Sequence, residues 1–328
     1  MAAQNSSDNI YDVVILGGGP AAAGAAVYSG RKFMQTLLVT YDFQGQSANS
    51  ADIQNWIGDL SISGAELADK LQRHVRSQPH VTVAMDEKVQ SVEKTAQEYL
   101  VHTDVGMHRG RTLILALGAR RRILDVPGEL ELQGMGVAYC STCDAPLFED
   151  EDVAVVGSGD SALESVIDLS HYASRIYLLT RGEELKGDPV NRDKVMNMPD
   201  SRLKLLTRSH VHAIRGQGEV DGLTYFDERA EELKDLEVTG VFVAIGSVPN
   251  SEPVQGLVEM NQQGEIIVDH KTGLTSDPYV GAAGDVSDDP FKQNNIAVAD
   301  GIRAALSLAA RLQEMRKYSP CGEPEACD

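Results

Sequence analysis

Residues 11–31 read YDVVILGGGPAAAGAAVYSGR. Tyr11 to Leu16 is an apolar, β-branched run of the kind that forms a buried strand. Three glycines follow, then Pro20, which suits the first turn of a helix, and an alanine-rich stretch that continues it. Gly17 permits the tight turn. Gly19 has no Cβ, so a pyrophosphate can approach the backbone of Gly19, Pro20 and Ala21, where a helix N-terminus offers N–H donors. TLLVT at 36–40 supplies the second strand of a strand–helix–strand unit.

The pattern returns at 153–180, VAVVGSGDSALESVIDLSHYASRIYLLT. Gly157 and Gly159 form the turn, a helix opens with Asp160 and Ser161, and Ile176 to Thr180 is the next strand. The two turns are too far apart for a solenoid repeat and fit two mononucleotide-type domains. The expected fold class is α/β with two Rossmann-like dinucleotide-binding domains. Such a pair is what passing electrons between a pyridine nucleotide and a flavin requires.

The bulk properties agree. A chain of 328 residues exceeds one ordinary core, and 42% hydrophobic residues suits a globular protein. The net charge of −20 disfavours nucleic acid and anionic membrane as partners. No apolar run approaches the roughly 20 residues that span a bilayer, and the N-terminus lacks a secretory signal pattern, so a cytoplasmic location is expected. One stretch runs against the charge: His108, Arg109, Arg111, Arg120, Arg121 and Arg122 make a basic cluster, readable as a solvated rim or as a docking patch for an acidic partner.

Residues 138–148 read AYCSTCDAPLF. The close pair Cys140 and Cys143 is open to metal ligation, redox exchange or accident. A zinc site would need Cys321 and Cys327, whose spacing is poor for ligation. His210 and His212 form H-x-H on one strand face, a weak metal signal, and no metal is expected. Asp42, ending the second strand, is a candidate for ribose hydroxyls.

Taken together, GGGPAAAG, GQSANSADIQNWIGDL (45–60), ALGAR (116–120), CSTCD (140–144), GSGDSALE (157–164), AIGSVPN (244–250) and GAAGDV (281–286) resemble the low-molecular-weight thioredoxin reductase family of flavoproteins. The resemblance runs from about residue 10 to 316. It implies an FAD-binding domain of residues 1–119 and 248–328, with a pyridine-nucleotide-type domain, 120–247, inserted in it and carrying the cysteine pair. It puts Gly17, Gly19, Pro20 and Ala21 on the FAD pyrophosphate, Gln46 and Asn55 on the flavin side, Asp285 on the ribityl–phosphate portion and Gln293 at the pyrimidine edge. Gly157, Gly159, Asp160 and Ser161 would hold the nicotinamide cofactor. Cys140 and Cys143 become the redox pair, with Cys143 toward the flavin, Cys140 attacking a thioredoxin-like partner, and Asp144 the proton donor. A homodimer is the family expectation.

The sequence departs from that family where its NADPH-using members carry a basic stretch. Here 180–186 reads TRGEELK, leaving Arg181 and Lys186 basic beside Glu183 and Glu184, which repel a 2′-phosphate. NADH, dual nucleotide use, and a ferredoxin or second flavin as donor all stay open. The stretch also resembles the flavoprotein subunit of alkyl hydroperoxide reductase. A small-molecule dithiol oxidase on the same scaffold is the alternative activity.

Overall fold

A computed structural model of the chain describes residues 9–50 and 52–318. In chain order its first elements are β1 (Ile10–Leu16), α1 (Pro20–Arg31), β2 (Thr36–Val39), α2 (Gly64–Arg76), β3 (Val81–Ala84), β4 (Val89–Lys94), β5 (Tyr99–Thr103), β6 (Met107–Leu115) and β7 (Ala119–Arg121). Then come β8 (Val137–Ala138), α3 (Ser141–Asp144), β9 (Asp152–Val156), α4 (Asp160–Leu169), β10 (Arg175–Leu179), α5 (Pro189–Met196) and β11 (Leu203–Leu206). The last are β12 (Ser209–Gly216), β13 (Val220–Asp227), β14 (Glu232–Leu236), β15 (Gly240–Val243), β16 (Ser247–Pro249), β17 (Val280–Ala282) and α6 (Asn294–Tyr318).

The chain divides into two compact units. The first is discontinuous, 1–52, 56–120 and 248–328; the second comprises 53–55 and 121–247.

In the first unit one sheet runs β3-β2-β1-β6-β5-β4, and β17 also pairs with β6. Strands β1, β2, β3, β6 and β17 are parallel, whereas β4, β5 and β6 pair antiparallel. Val13, Val14, Ile15 and Leu16 have no exposed surface, because β1 lies inside the sheet with apolar layers on both faces. Burying such a side chain contributes about 1.5–3 kcal/mol. Strand β5 alternates buried and half-buried residues, as an antiparallel strand with one wetter face does. Helix α2 is capped by Ser63, whose side chain accepts from the Glu66 N–H at 3.2 Å. The long C-terminal helix α6 begins at Asn294, one residue after Gln293, whose carbonyl accepts from the Ala297 N–H at 2.8 Å.

In the second unit β11-β10-β9-β15-β8 form a parallel sheet, and β12-β13-β14 an antiparallel one. Helices α4 and α5 contribute Leu163, Val166, Leu169 and Val195 to a core against β9 and β10. The strand–turn–helix–strand unit inferred at 153–180 is therefore present, with α4 ending at Leu169 and Ser170 as its C-cap.

Most of the basic cluster is paired within the chain. His108, Arg109 and Arg111 lie on β6. His108 is buried and meets Glu87 at 2.8 Å, Arg109 makes a two-pronged contact with Glu98, and Arg111 reaches Asp12 at 3.2 Å. Arg120 pairs with Glu252 at 2.6 Å. Acidic residues from other segments thus partner four of the six, of which Arg111 and Arg120 still lie at the exposed surface, as a solvated rim does. His210 likewise pairs with Glu228 at 2.5 Å. Among the described residues no group of three or more His, Cys, Asp or Glu is placed to hold a metal ion. No described helix is long and apolar enough to cross a membrane. Cys321 and Cys327 lie outside the described residues.

Candidate redox site

The geometry begins with the first glycine turn. Gly17 has φ +124°, and a Cβ there would collide with the carbonyl oxygen of Ala116, just past β6. Only glycine satisfies both demands. Gly19 is the N-cap of α1, with no side-chain hydrogen bond to the helix and no acidic residue in the first turn. A Cβ on Gly19 would have nothing within 4 Å. The turn therefore faces open space with free helix N–H groups, which is the shape and charge that a pyrophosphate needs.

Around this turn the fold gathers the other first-unit candidates. Gly45 lies against Gly19, since a Cβ built on it would sit 3.8 Å from the Gly19 Cα. Next to it, Gln46 Nε2 donates to Asp285 Oδ2 at 2.9 Å. Asp285 lies in a short turn of 3₁₀ helix, Gly284–Val286. The Lys292 ammonium donates to the carbonyl of Ser287 at 2.5 Å and pairs with Glu265 at 3.0 Å. Ser47 donates to Asn294 at 2.7 Å, tying the 45–49 loop to the start of α6. Asp42 uses its carboxylate to accept from the Gln44 N–H at 2.9 Å, a local turn.

In the second unit Gly157 repeats Gly17, with φ +151° and a Cβ that would strike the Ala244 carbonyl. Gly159 repeats Gly19, capping α4 with no side-chain bond and with nothing within 4 Å of its Cβ position. This turn too presents a cradle that fits a nucleotide phosphate. Asp160 accepts from the Asp188 N–H at 2.5 Å, and the Lys186 N–H donates to the Ser158 carbonyl at 2.7 Å, so the 181–188 loop is bound to the turn. Ser161, Arg181 and Lys186 stand on these two segments.

Cys140 and Cys143 are joined as a disulfide, with Cα atoms 5.3 Å apart. Cys140 is the N-cap of the short helix α3, and its carbonyl accepts from the N–H groups of Cys143 and Asp144 at 3.2 and 3.0 Å. Cys143 is exposed and Cys140 half-buried. The Asn55 side-chain amide approaches Cys143 Sγ at 3.8 Å. Asp144 follows directly. Burial pushes its carboxyl up to about 6, an effect that the positive charge of Arg121 opposes. A carboxyl titrating there can give and take a proton near neutral pH. Arg121 itself stacks over the Tyr139 ring at 5.3 Å.

Sequence reasoning missed Asp168. Its Oδ2 accepts from Ser141 Oγ at 2.8 Å and from Thr142 Oγ1 at 3.2 Å, so one carboxylate on α4 holds both residues between the cysteines. The only signal was a pair of hydroxyl residues in the C-x-x-C turn, which names no partner.

A family model described as pyridine nucleotide-disulphide oxidoreductase matches residues 11–301, and the chain belongs to that family. Its two Rossmann-like domains are shared with thioredoxin reductases: the enzyme of Streptococcus pyogenes MGAS5005 superposes with a TM-score of 0.88 at 32% identity, covering 94% of this chain and 100% of that one. The "NADH dehydrogenase" of Bacillus subtilis (strain 168) is 40% identical over 296 residues, 90% of this chain and 57% of that protein. The F subunit of the alkyl hydroperoxide reductase of Pseudomonas aeruginosa is 39% identical over 301 residues, 90% of this chain and 57% of that protein. The chain thus spans little more than half the length of these two relatives.

Proposed function

We propose that the protein is an FAD-dependent disulfide reductase that delivers two electrons to Cys140–Cys143 and on to a thioredoxin-like protein. The observation that carries this reading is the Cys140–Cys143 disulfide at the head of α3 with the half-buried Asp144 carboxyl beside it. In this proposal the discontinuous unit is the FAD domain. Gly17, Gly19, Pro20 and Ala21 hold the pyrophosphate, while Gln46, Asp285 and Gln293 address the rest of the cofactor and Asn55, beside Cys143, serves its flavin side. The second unit takes a nicotinamide cofactor on Gly157, Gly159, Asp160 and Ser161, with Arg181 and Lys186 near its ribose. Bound flavin supplies a two-electron relay between the nicotinamide and a disulfide.

The chain's own residues then carry a thiol–disulfide exchange. In the dithiol state the Cys140 thiolate attacks one sulfur of the partner's disulfide, which breaks and leaves a mixed disulfide. The Cys143 sulfur attacks Cys140 Sγ, restoring the Cys140–Cys143 bond and releasing the partner with both sulfurs reduced. Asp144 protonates the leaving thiolate.

NADH is the donor we favour over NADPH. The TRGEELK stretch and the relatives named for NADH dehydrogenase and alkyl hydroperoxide reductase support it. With most of the basic cluster engaged internally, the choice of a protein rather than a small dithiol as partner rests on the likeness to thioredoxin reductases. A cytoplasmic homodimer completes the proposal on the same support, and sedimentation velocity reads the oligomer.

The test is an anaerobic titration of purified protein, followed by its absorption spectrum. NADH is expected to bleach flavin absorption and NADPH to do so poorly. Bleaching only by a ferredoxin or by dithionite overturns the nucleotide donor. Cys140→Ser is expected to keep flavin bleaching and abolish disulfide turnover; full turnover in that variant overturns the assigned exchange.

A further inference from the structure

Two arginines to which the resemblance gives no role, Arg208 and Arg229, converge on Glu183. Glu183 Oε1 lies 2.8 Å from Arg208 Nε and 3.6 Å from Arg229 Nη2. Arg229 is further held by Thr207, to whose hydroxyl it donates at 2.9 Å. The loop that carries Glu183 is pinned along its length. Arg208 N–H donates to the Gly182 carbonyl at 3.2 Å, Ser209 N–H to that of Thr180 at 2.9 Å, and Lys186 N–H to that of Ser158 at 2.7 Å. Glu183 is thereby fixed between the end of β10 and the 157–159 glycine turn. In a strand–turn–helix–strand nucleotide fold, that is where the adenosine ribose rests.

This arrangement revises the charge reading of the stretch. Glu183 is not a bare repulsive charge, because two guanidiniums already share it. A guanidinium pair is also what a 2′-phosphate would seek. We propose that Glu183 is the donor-specificity residue of this protein: its carboxylate occupies Arg208 and Arg229 and so reserves the site for a nucleotide with a free 2′-hydroxyl. A 2′-phosphate would have to displace a carboxylate to reach either arginine. Removing Glu183 releases both arginines beside Arg181 and Lys186 and converts the loop into a 2′-phosphate site. This inference rests on the proposal that the second unit binds a pyridine nucleotide.

The pairs are exposed, so they add little to stability and their removal should leave the fold intact. The experiment is calorimetric titration of the full chain with two probes that differ only in the group at issue, adenosine 5′-monophosphate and adenosine 2′,5′-bisphosphate. Wild type is expected to gain nothing from the 2′-phosphate. Glu183→Ala, and to a lesser degree Glu183→Gln, should bind the bisphosphate about tenfold more tightly while monophosphate affinity holds. Arg208→Ala in the Glu183→Ala background should cancel the gain. A wild type that prefers the bisphosphate, or a Glu183→Ala variant with an unchanged ratio, overturns the assignment. Failure of wild type to bind either probe would instead bring down the nucleotide reading, and this inference with it.

Discussion

The two glycine turns solve one backbone problem twice and differ in everything around it. Gly17 and Gly157 both have positive φ, and both press against a carbonyl just past a neighbouring strand, that of Ala116 or Ala244. Gly19 and Gly159 both cap a helix without a side chain and leave an open cradle. Yet α1 opens with proline and alanines, whereas α4 opens with Asp160 and continues through Glu164 and Asp168 at four-residue spacing on one face. Burial raises the Glu164 carboxyl above the ordinary range, with the charges of Asp160 and Asp168 adding to it. Glycine placement makes an open turn at a helix N-terminus, the shape that a phosphate needs, while the neighbouring side chains differ. In the first unit those neighbours are Gln46, Asp285 and Lys292, an amide, a carboxylate and an ammonium joined to one another and to the backbone. In the second they are carboxylates that fix loops and, through Asp168, the cysteine turn.

Swapping the same residue into each turn is the strongest way to break this comparison. Gly17→Ala and Gly157→Ala should each cost about 2–5 kcal/mol, since alanine meets both an unfavourable φ and a carbonyl. Chemical denaturation measures that cost. The functional losses should separate: Gly17→Ala is purified without flavin colour, whereas Gly157→Ala stays yellow and ceases to bleach with NADH. Loss of flavin from both would show that the turns do not serve separate cofactors.

A smaller effect sharpens the contrast at the cysteine turn. Asp144→Asn should lower disulfide turnover about 10²-fold. Because the donor must be protonated, wild-type turnover should fall as pH rises through about 6, and the Asn variant should lose that limb. The carboxyl titrates near 3.8 when unfolded and near 6 when folded, so stability is lost as pH rises across that window. Asp144→Asn should be relatively more stable at pH 8 than at pH 4 by thermal melting. An identical pH profile in the variant would refute the proton-donor role. The smallest effect is Asp168→Ala, which removes two hydroxyl contacts from the turn and should cost about 1 kcal/mol, read by urea unfolding.

How much of the fold and the site is legible in the sequence depends on the range of the interaction. The strands and helices flanking Gly17 and Gly157 are legible because their signals are local: an apolar run, a glycine that must turn, a helix former after it. The C-x-x-C pair and Asp144 are legible for the same reason. The fate of Arg109 and Arg111 is not, because Glu98 and Asp12 reach them only through strand pairing. Asp168 and the Glu183–Arg208–Arg229 triad are hidden likewise, since each joins segments more than 20 residues apart. The repulsion expected of Glu183 belongs to a side chain without neighbours, and the fold supplies it with two.

The discontinuity of the first unit also has a consequence for how the chain is made. Strand β17 and helix α6, which finish the sheet beside β6 and the apolar layer shared with α1, are encoded after the whole of the second unit. From residue 120 to residue 318, at about 5–20 residues per second, a ribosome needs roughly 10–40 s. Throughout that interval the N-terminal part of the first unit waits with Val13, Ile15 and Ala22 short of their final cover, while both segments of the second unit, 53–55 and 121–247, are complete long before the end. Nascent chains stalled before residue 280 should therefore carry a finished second unit beside an unfinished first one in sequence, a natural client for chaperones.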